Sequence, residues 1–185
     1  MVNFALPTLA LLALTPVIGA VAVQPRAEEA TQAEPFSFVK WVDEIAANPN
    51  GTHLSPEQAY QEWERTVLNA TETEGALHKR LRCNNIPNAS APVPDAVQCI
   101  NYLASLGTKP CKVTIESRFV VWGNAEIWGI GAGMATHSSY CEHIARAAGL
   151  VMDNCWRADN TVQGDEMAWG NGNIAVHIIK KGAFD

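Results

Sequence analysis

The sequence predicts an α+β fold: an antiparallel sheet with two helices packed on one face (an α/β-sandwich), stabilised by disulfides and preceded by a signal peptide and a helical pro-segment. Three observations carry the prediction. All five cysteines, Cys83, Cys99, Cys111, Cys141 and Cys155, lie beyond residue 80 of the 185-residue chain. Two β-rich runs around a Gly-Asn pair, and one more near the end, alternate with stretches of helical periodicity. The N-terminus is an apolar run that stops at a small-x-small site.

Residues 1–22 have the layout of a secretory signal peptide. Leu9, Leu11, Leu12, Leu14, Val17 and Ile18 form the apolar run, and Ala20-Val21-Ala22 closes it. Pro7 and Pro16 interrupt it and no basic stop-transfer cluster follows, which argues against a membrane anchor. No later stretch approaches about 18 apolar residues, so no membrane span is expected beyond it. Secretion places the cysteines in an oxidising compartment, where thiols pair. Five is an odd number, so one thiol is left unpaired or bonds another chain. There is no Cys-x-x-Cys, which argues against a zinc ribbon or a redox motif. Asn50, Asn69 and Asn88 each open a glycosylation sequon, consistent with an extracellular glycoprotein.

Residues 23–80 read as an acidic, partly helical pro-segment. They hold no cysteine, ten acidic residues and five basic ones; residues 81–185 hold nine and eight. The net charge of −6 therefore splits into −5 and −1. A mature part without a basic patch argues against nucleic acid as a partner. Lys79-Arg80 sits on this composition boundary and is the expected cut site of a kexin-type processing protease. Within the pro-segment Phe38, Trp41, Val42 and Ile45 fall at helical spacing, and Asn48-Pro49 should end that helix. Ser55-Pro56-Glu57-Gln58 is a helix start, with Ser as N-cap, Pro at the first helical position and Gln three residues after the cap. That helix should run to about Asn69. The acidic segment is expected to assist solubility or folding.

Residues 81–185 form the expected mature domain. Asp95 reads as the cap of a helix with Val97, Ile100, Leu103 and Ala104 on its apolar stripe and Gly107 at its end. Val113 to Ser117 and Phe119 to Trp122 are strand-like, and Gly123-Asn124 turns the chain into Ala125 to Ile130 as a hairpin. The glycines at 129, 131 and 133 do not open directly onto a helix, which argues against phosphate binding. Ser139 reads as the cap, and Glu142 as the capping-box partner, of a helix that buries Cys141, Ile144, Ala145, Ala148, Val151, Met152 and Cys155. Cys141 and Cys155 are fourteen residues apart, ~21 Å along a straight helix. A disulfide requires Cα atoms within about 7 Å, so each must bond a different element. The final strand, Ile174 to Ile179, should insert beside the hairpin.

Asp95 to Leu103, Cys141 to Ala145, Asp153 to Arg157, Val162-Gln163-Gly164 and Gly170 to Val176 resemble segments of small secreted proteins of filamentous fungi, as does Phe38 to Asp43. Residues 118–180 also resemble the killer toxin of smut fungi and related killer-like effectors. The shared outline is a strand ending at a cysteine, a glycine, a second strand, a helix that begins and ends on cysteines, and a last strand after a glycine. The resemblance implies an α/β-sandwich and a secreted toxin that inhibits competing fungi. It also implies that Cys83 bonds Cys155. The family places a cysteine at the position of Trp122, bonded to the one that opens the long helix, here Cys141. With Trp122 in its place, Cys141 is expected to be the free thiol, and Cys99 with Cys111 the remaining local pair. The toxin's key basic residue has no counterpart in this chain, so calcium-channel activity is not carried over.

The same chain offers residues for other chemistry. His137, Cys141 and His143 are close in sequence, but Cys141 belongs to an apolar helix face and His143 points elsewhere, so no metal is expected. Glu126 and His177, on predicted strands, are the pair a small hydrolase such as a ribonuclease would use for acid/base work; otherwise each faces solvent on the open side of the sheet. Trp156 and Trp169 lie in predicted loops and are candidate binding residues for a partner or a sugar. The expected protein is secreted, monomeric, without cofactor, and acts non-catalytically on a target at the surface of a competing or host cell. A hydrolase or a cell-wall carbohydrate-binding module are the alternatives.

Overall fold

The computed structural model describes residues 35–69 and 82–184, without the side chains of Leu68 and Asn69. The fold is α+β and carries two disulfides. The signal-peptide residues, Asn69 as a glycosylation site and the Lys79-Arg80 pair fall outside that description.

Helix α1 spans Phe38–Ala47. Ser37 caps it, accepting the Lys40 N–H at 3.4 Å, and its buried residues are the periodic set Phe38, Trp41, Val42 and Ile45. Helix α2, Pro56–Asn69, starts in a formed capping box. The Gln58 N–H donates to the Ser55 hydroxyl at 3.3 Å, and the Ser55 N–H donates to the Gln58 side-chain oxygen at 2.9 Å.

Strand β1, Ala91–Pro92, leads into helix α3, Val93–Ser105. The helix begins two residues before Asp95, with Pro92 as its N-cap. Asp95 is instead a clamp: its carboxylate accepts the Asn124 N–H at 2.8 Å. A Cβ at position 123 would lie 2.5 Å from that carboxylate, so this tight turn, at φ +53°, admits glycine alone. Gly107 ends α3 in the left-handed region, donating to the Ala104 carbonyl.

The expected Val113–Ser117 strand is divided. Strand β2, Pro110–Val113, leaves the main sheet and pairs antiparallel with β5, His137–Tyr140, in a separate ladder. The main sheet contains β3 (Glu116–Trp122), β4 (Ala125–Gly131), β7 (Gly164–Met167) and β8 (Ile174–Lys180) in the order β3-β4-β8-β7, all antiparallel. The last strand thus sits beside the hairpin. Helix α4, Cys141–Cys155, joins β5 to the short strand β6, Thr161–Val162, which pairs with β1.

Ser139 does not cap α4. It is a β5 residue whose hydroxyl donates to the Trp169 carbonyl at 2.9 Å, and Tyr140 takes the cap position without a side-chain bond. The first two N–H groups of α4 go to the carbonyls of Lys109 and Gly107, so the turn between α3 and β2 supplies the cap.

Helices α3 and α4 pack on each other and on the sheet, α3 over β3 and β4, α4 over β7 and β8. The core between them contains Ile100, Leu103, Ile127, Ile144, Met152, Val176 and Ile178, none of them exposed. The sequence-based division at residue 80 does not coincide with a packing boundary. Helix α1 packs on α4 and α3, α2 packs on α3, and the described residues form one compact unit. Among the described residues four helices thus pack together, α1 and α2 lying on the α3–α4 pair that covers the sheet.

The cysteine pairing needs a correction. Cys83 and Cys155 are bonded, with Cα atoms 5.2 Å apart. The second bridge joins Cys111 to Cys141, with Cα atoms 5.1 Å apart, and the free thiol is Cys99. The β2–β5 ladder is the reason. It sets Cys111 opposite Ser139, two residues before Cys141, whereas Cys99 points from α3 into the core toward the Ala125 carbonyl, 3.7 Å away.

Candidate functional site

The sheet face turned away from α3 and α4 gathers the acid/base candidates. Registers Arg118↔Trp128, Trp128↔His177 and Asp165↔His177 put these four residues on one side, with Glu126 two residues from Trp128. Glu126 is fully buried, against the expectation that it faces solvent. One of its oxygens accepts the Trp128 indole N–H at 2.6 Å and the other accepts Arg118 at 3.3 Å. The Arg118 guanidinium also lies 5.5 Å from the centre of the Trp128 ring. The Phe184 ring closes over the cluster, edge-on to Trp128 and His177 at 5.7 and 5.8 Å.

Burial lowers the pKa of His177 below that of a free imidazole; the Asp165 carboxylate opposes this shift and Arg82 adds to it. His177 is thus held toward its neutral form. Asp165 is itself engaged, accepting Asn84 Nδ2 at 2.9 Å. A general base needs a lone pair that can reach a substrate proton. Glu126 is shielded from solvent and each of its oxygens already has an internal donor. The cluster fits a satisfied structural network under the Phe184 ring.

A second arrangement lies at the N-terminal end of α4. Ser138, Ser139, Tyr140, His143 and Gly170 line a shallow cleft of about 270 Å³. Two aromatic residues near it are well exposed, Tyr140 at 49% and Trp169 at 45%. Both are held. The Tyr140 ring lies 5.3 Å from the His143 ring, and the Trp169 indole lies under the Arg146 guanidinium at 4.7 Å. Arg146 is fixed in turn by an ion pair with Asp43 of α1. The loop after Trp169 is tied to β5 by Asn171, which donates to the Ser138 carbonyl at 2.9 Å. Ser139 and His143 approach to 3.4 Å, but the Ser139 proton goes to the Trp169 carbonyl, so His143 is not placed as its base.

The two tryptophans singled out by their loop positions are not brought together. Trp169 is beside the first turn of α4, whereas Trp156 follows the last, ~21 Å away for a helix of this length. Trp156 is half-buried and meets the α2 residue Trp63 edge-to-face at 5.5 Å. It is therefore a packing residue while α2 is in place, and the candidate site keeps Trp169 alone. Among the described residues no three His, Cys, Asp or Glu side chains converge as metal ligands. Cys141 is consumed by its disulfide and His137 Nε2 lies 2.8 Å from the Ala132 carbonyl. Asn50 and Asn88 are both exposed; Asn88 sits in a turn at φ +62°.

Sequence reasoning missed Tyr140, Arg146 and Asp153. The first two carry no local signal, since their roles depend on a loop twenty or more residues away. Asp153 had one. An acidic residue in the last turn of a helix opposes the macrodipole, so it needs a specific partner. That partner is the start of α1. Asp153 accepts the Ser37 hydroxyl and the Phe38 N–H, both at 2.7 Å, and the Val39 N–H at 3.2 Å.

Residues 78–180, more than half of the chain, match the family described as Domain of unknown function (DUF8794). No curated protein and no solved structure matches the chain.

Proposed function

The chain belongs to the DUF8794 family, and we propose that it is a secreted, killer-toxin-like or effector protein that acts as a monomer by binding a target on a competing or host cell, without catalysis. The observation that carries this reading is the α4 cleft, lined by Tyr140 and by Gly170, with the half-exposed Trp169 ring next in sequence held under Arg146. A large aromatic ring held rigid at the surface loses little entropy when a partner covers it, which is the usual property of an interface anchor. The two disulfides fit an extracellular setting. No described helix is long and apolar enough to cross a membrane.

The carbohydrate-binding alternative draws on the same cleft. Hydroxyls of Ser138 and Tyr140 and the His143 imidazole beside an exposed indole suit a sugar, which offers both a flat apolar face and hydroxyl groups. The hydrolase alternative is weakened by the burial of Glu126 and the prior engagement of both its oxygens.

The test is direct binding of labelled protein to intact fungal cells, plant cells and insoluble chitin or glucan, with growth and leaf responses followed in parallel. Wild-type protein should bind at least one surface, and Trp169→Ala and Tyr140→Ala should lose that binding while both disulfides still form. Retention only on chitin or glucan would favour the wall-binding module. Equal binding by wild type and Trp169→Ala would remove the cleft from the function.

A further inference from the structure

A leader that adds nothing to the core leaves a complete surface behind when it is released. The packing of residues 35–69 has the opposite character. Phe38, Trp41, Val42 and Ile45 of α1 and Trp63 of α2 are at most 6% exposed and belong to the same buried cluster as the core of α3 and α4. The approach of α1 to α4 is a backbone approach. A Cβ added at Gly149 would lie 3.1 Å from the Val39 nitrogen and 3.2 Å from the Phe38 carbonyl carbon.

Directional bonds accompany the apolar contact. The Asp153 carboxylate accepts from Ser37, Phe38 and Val39, Arg146 pairs with Asp43, Gln98 donates to Glu57 at 2.7 Å, and Asn160 donates to the Tyr60 hydroxyl at 2.9 Å. Every one of these joins the N-terminal helices to the C-terminal part. No disulfide does, because both bridges lie within residues 83–155.

We propose that residues 35–69 are a permanent subunit rather than a detachable leader: hydrolysis at Lys79-Arg80 yields a two-chain protein in which the N-terminal helical hairpin stays seated on α3 and α4 without any covalent link. In the cut itself, water is added across the Arg80–Leu81 peptide bond by a kexin-type protease, leaving a carboxylate on Arg80 and an amine on Leu81. The retained hairpin keeps Trp156 covered through Trp63 and holds Arg146, and with it Trp169, through Asp43. Cutting removes the high effective concentration that the connecting chain provides, so retention rests on the interface alone.

The experiment treats the purified full-length chain with a kexin-type protease and confirms the new N-terminus at Leu81. The nicked protein is then diluted, run on a native size-exclusion column and sequenced from the N-terminus. The expected result is one peak at the elution position of the uncut chain, containing both N-termini in equal amounts, which separates into two pieces in denaturant without reductant. Gly149→Ala introduces a methyl against the α1 backbone from outside the hairpin. Its uncut form should keep both disulfides, and after nicking it should release the N-terminal piece at least about tenfold faster than wild type, as overpacking of a tight contact predicts. The proposal is overturned if the N-terminal piece leaves on native dilution of the wild type. It is equally overturned if the C-terminal piece then aggregates alone, if the folded chain resists cutting at Arg80, or if Gly149→Ala releases the piece no faster.

Discussion

The Asp153 carboxylate accepts the Phe38 backbone N–H at 2.7 Å, across 115 positions of sequence. It does for α1 what a capping side chain does within one helix, using a residue from the last turn of another. Burial pushes the Asp153 pKa up, and the bonds from Ser37, Phe38 and Val39, with the charge of Lys40, pull it back without cancelling the shift.

A carboxyl whose folded pKa lies above its unfolded value binds more protons when folded. Its contribution to stability therefore falls as pH rises through the folded pKa and is greatest below the unfolded one, about 3.9. Relative to Asp153→Asn, the wild type should gain stability as pH is lowered from neutrality into the carboxylate range. Asp153→Ala should cost on the order of 2–3 kcal/mol at neutral pH, because the N–H groups of Phe38 and Val39 lose an ionised acceptor. Urea unfolding of the three proteins across pH measures both. A flat difference between wild type and Asp153→Asn would contradict the assignment.

His177 should act in the opposite direction. Its pKa is lowered mainly by burial, so the unfolded chain takes up a proton first as pH falls below about 6.5. Stability should drop as pH falls from neutrality through that value toward the lowered folded pKa, and His177→Asn should flatten the drop. The same series separates a structural sheet-face network from an active one. Glu126→Ala strands the Trp128 N–H and should cost on the order of 2–3 kcal/mol, while leaving binding to the cell-surface target unchanged. Hydrolytic activity abolished by Glu126→Gln at unchanged stability would reverse that conclusion.

Cys99 has no exposed surface, and burial raises its thiol pKa to about 12. The native protein should therefore fail to react with a thiol reagent at mildly alkaline pH and should titrate one thiol per chain once unfolded without reductant. Changing Cys111 and Cys141 together to Ser removes one bridge and should cost ~2–4 kcal/mol. Peptide mapping that finds Cys99 in a bridge would refute the pairing.

Arg146 supports Trp169 without filling the cleft. Arg146→Ala should weaken target binding by about tenfold, since the indole loses its cation–π partner and its fixed orientation. Arg146→Lys should restore part of the loss. Asp43→Asn should produce a smaller loss in the same direction, because Asp43 acts on the ring only through Arg146. Isothermal titration with the identified surface component reads all three. Full affinity in Arg146→Ala would show that the clamp is irrelevant to binding.

The α1 stripe, the Ser55 capping box, the apolar face of α4 and the Gly123-Asn124 hairpin could all be read from the chain. Each depends on residues within four or so positions, where helical and strand periodicity or turn chemistry act directly. The candidate site was legible only as an unplaced Trp169. Ser139 and Asp95 show why local rules fail where tertiary contacts compete. Each has the right type to cap the helix that follows it, yet each gives its polar group to a loop brought near by the sheet, Trp169 in one case and Asn124 in the other.

By itself the sequence determined an α+β chain with local helix starts, an odd number of cysteines and a charge step near residue 80, because composition and short-range periodicity are properties of the chain alone. Which cysteine stays free, and to which core α1 belongs, were decided only in three dimensions. The β2–β5 ladder carries Cys111 to Cys141, and Gly149 opens a groove close enough for α1. Both outcomes depend on segments 30 or more positions apart meeting at van der Waals distance, and the sequence encodes such contacts only jointly with everything packed between them.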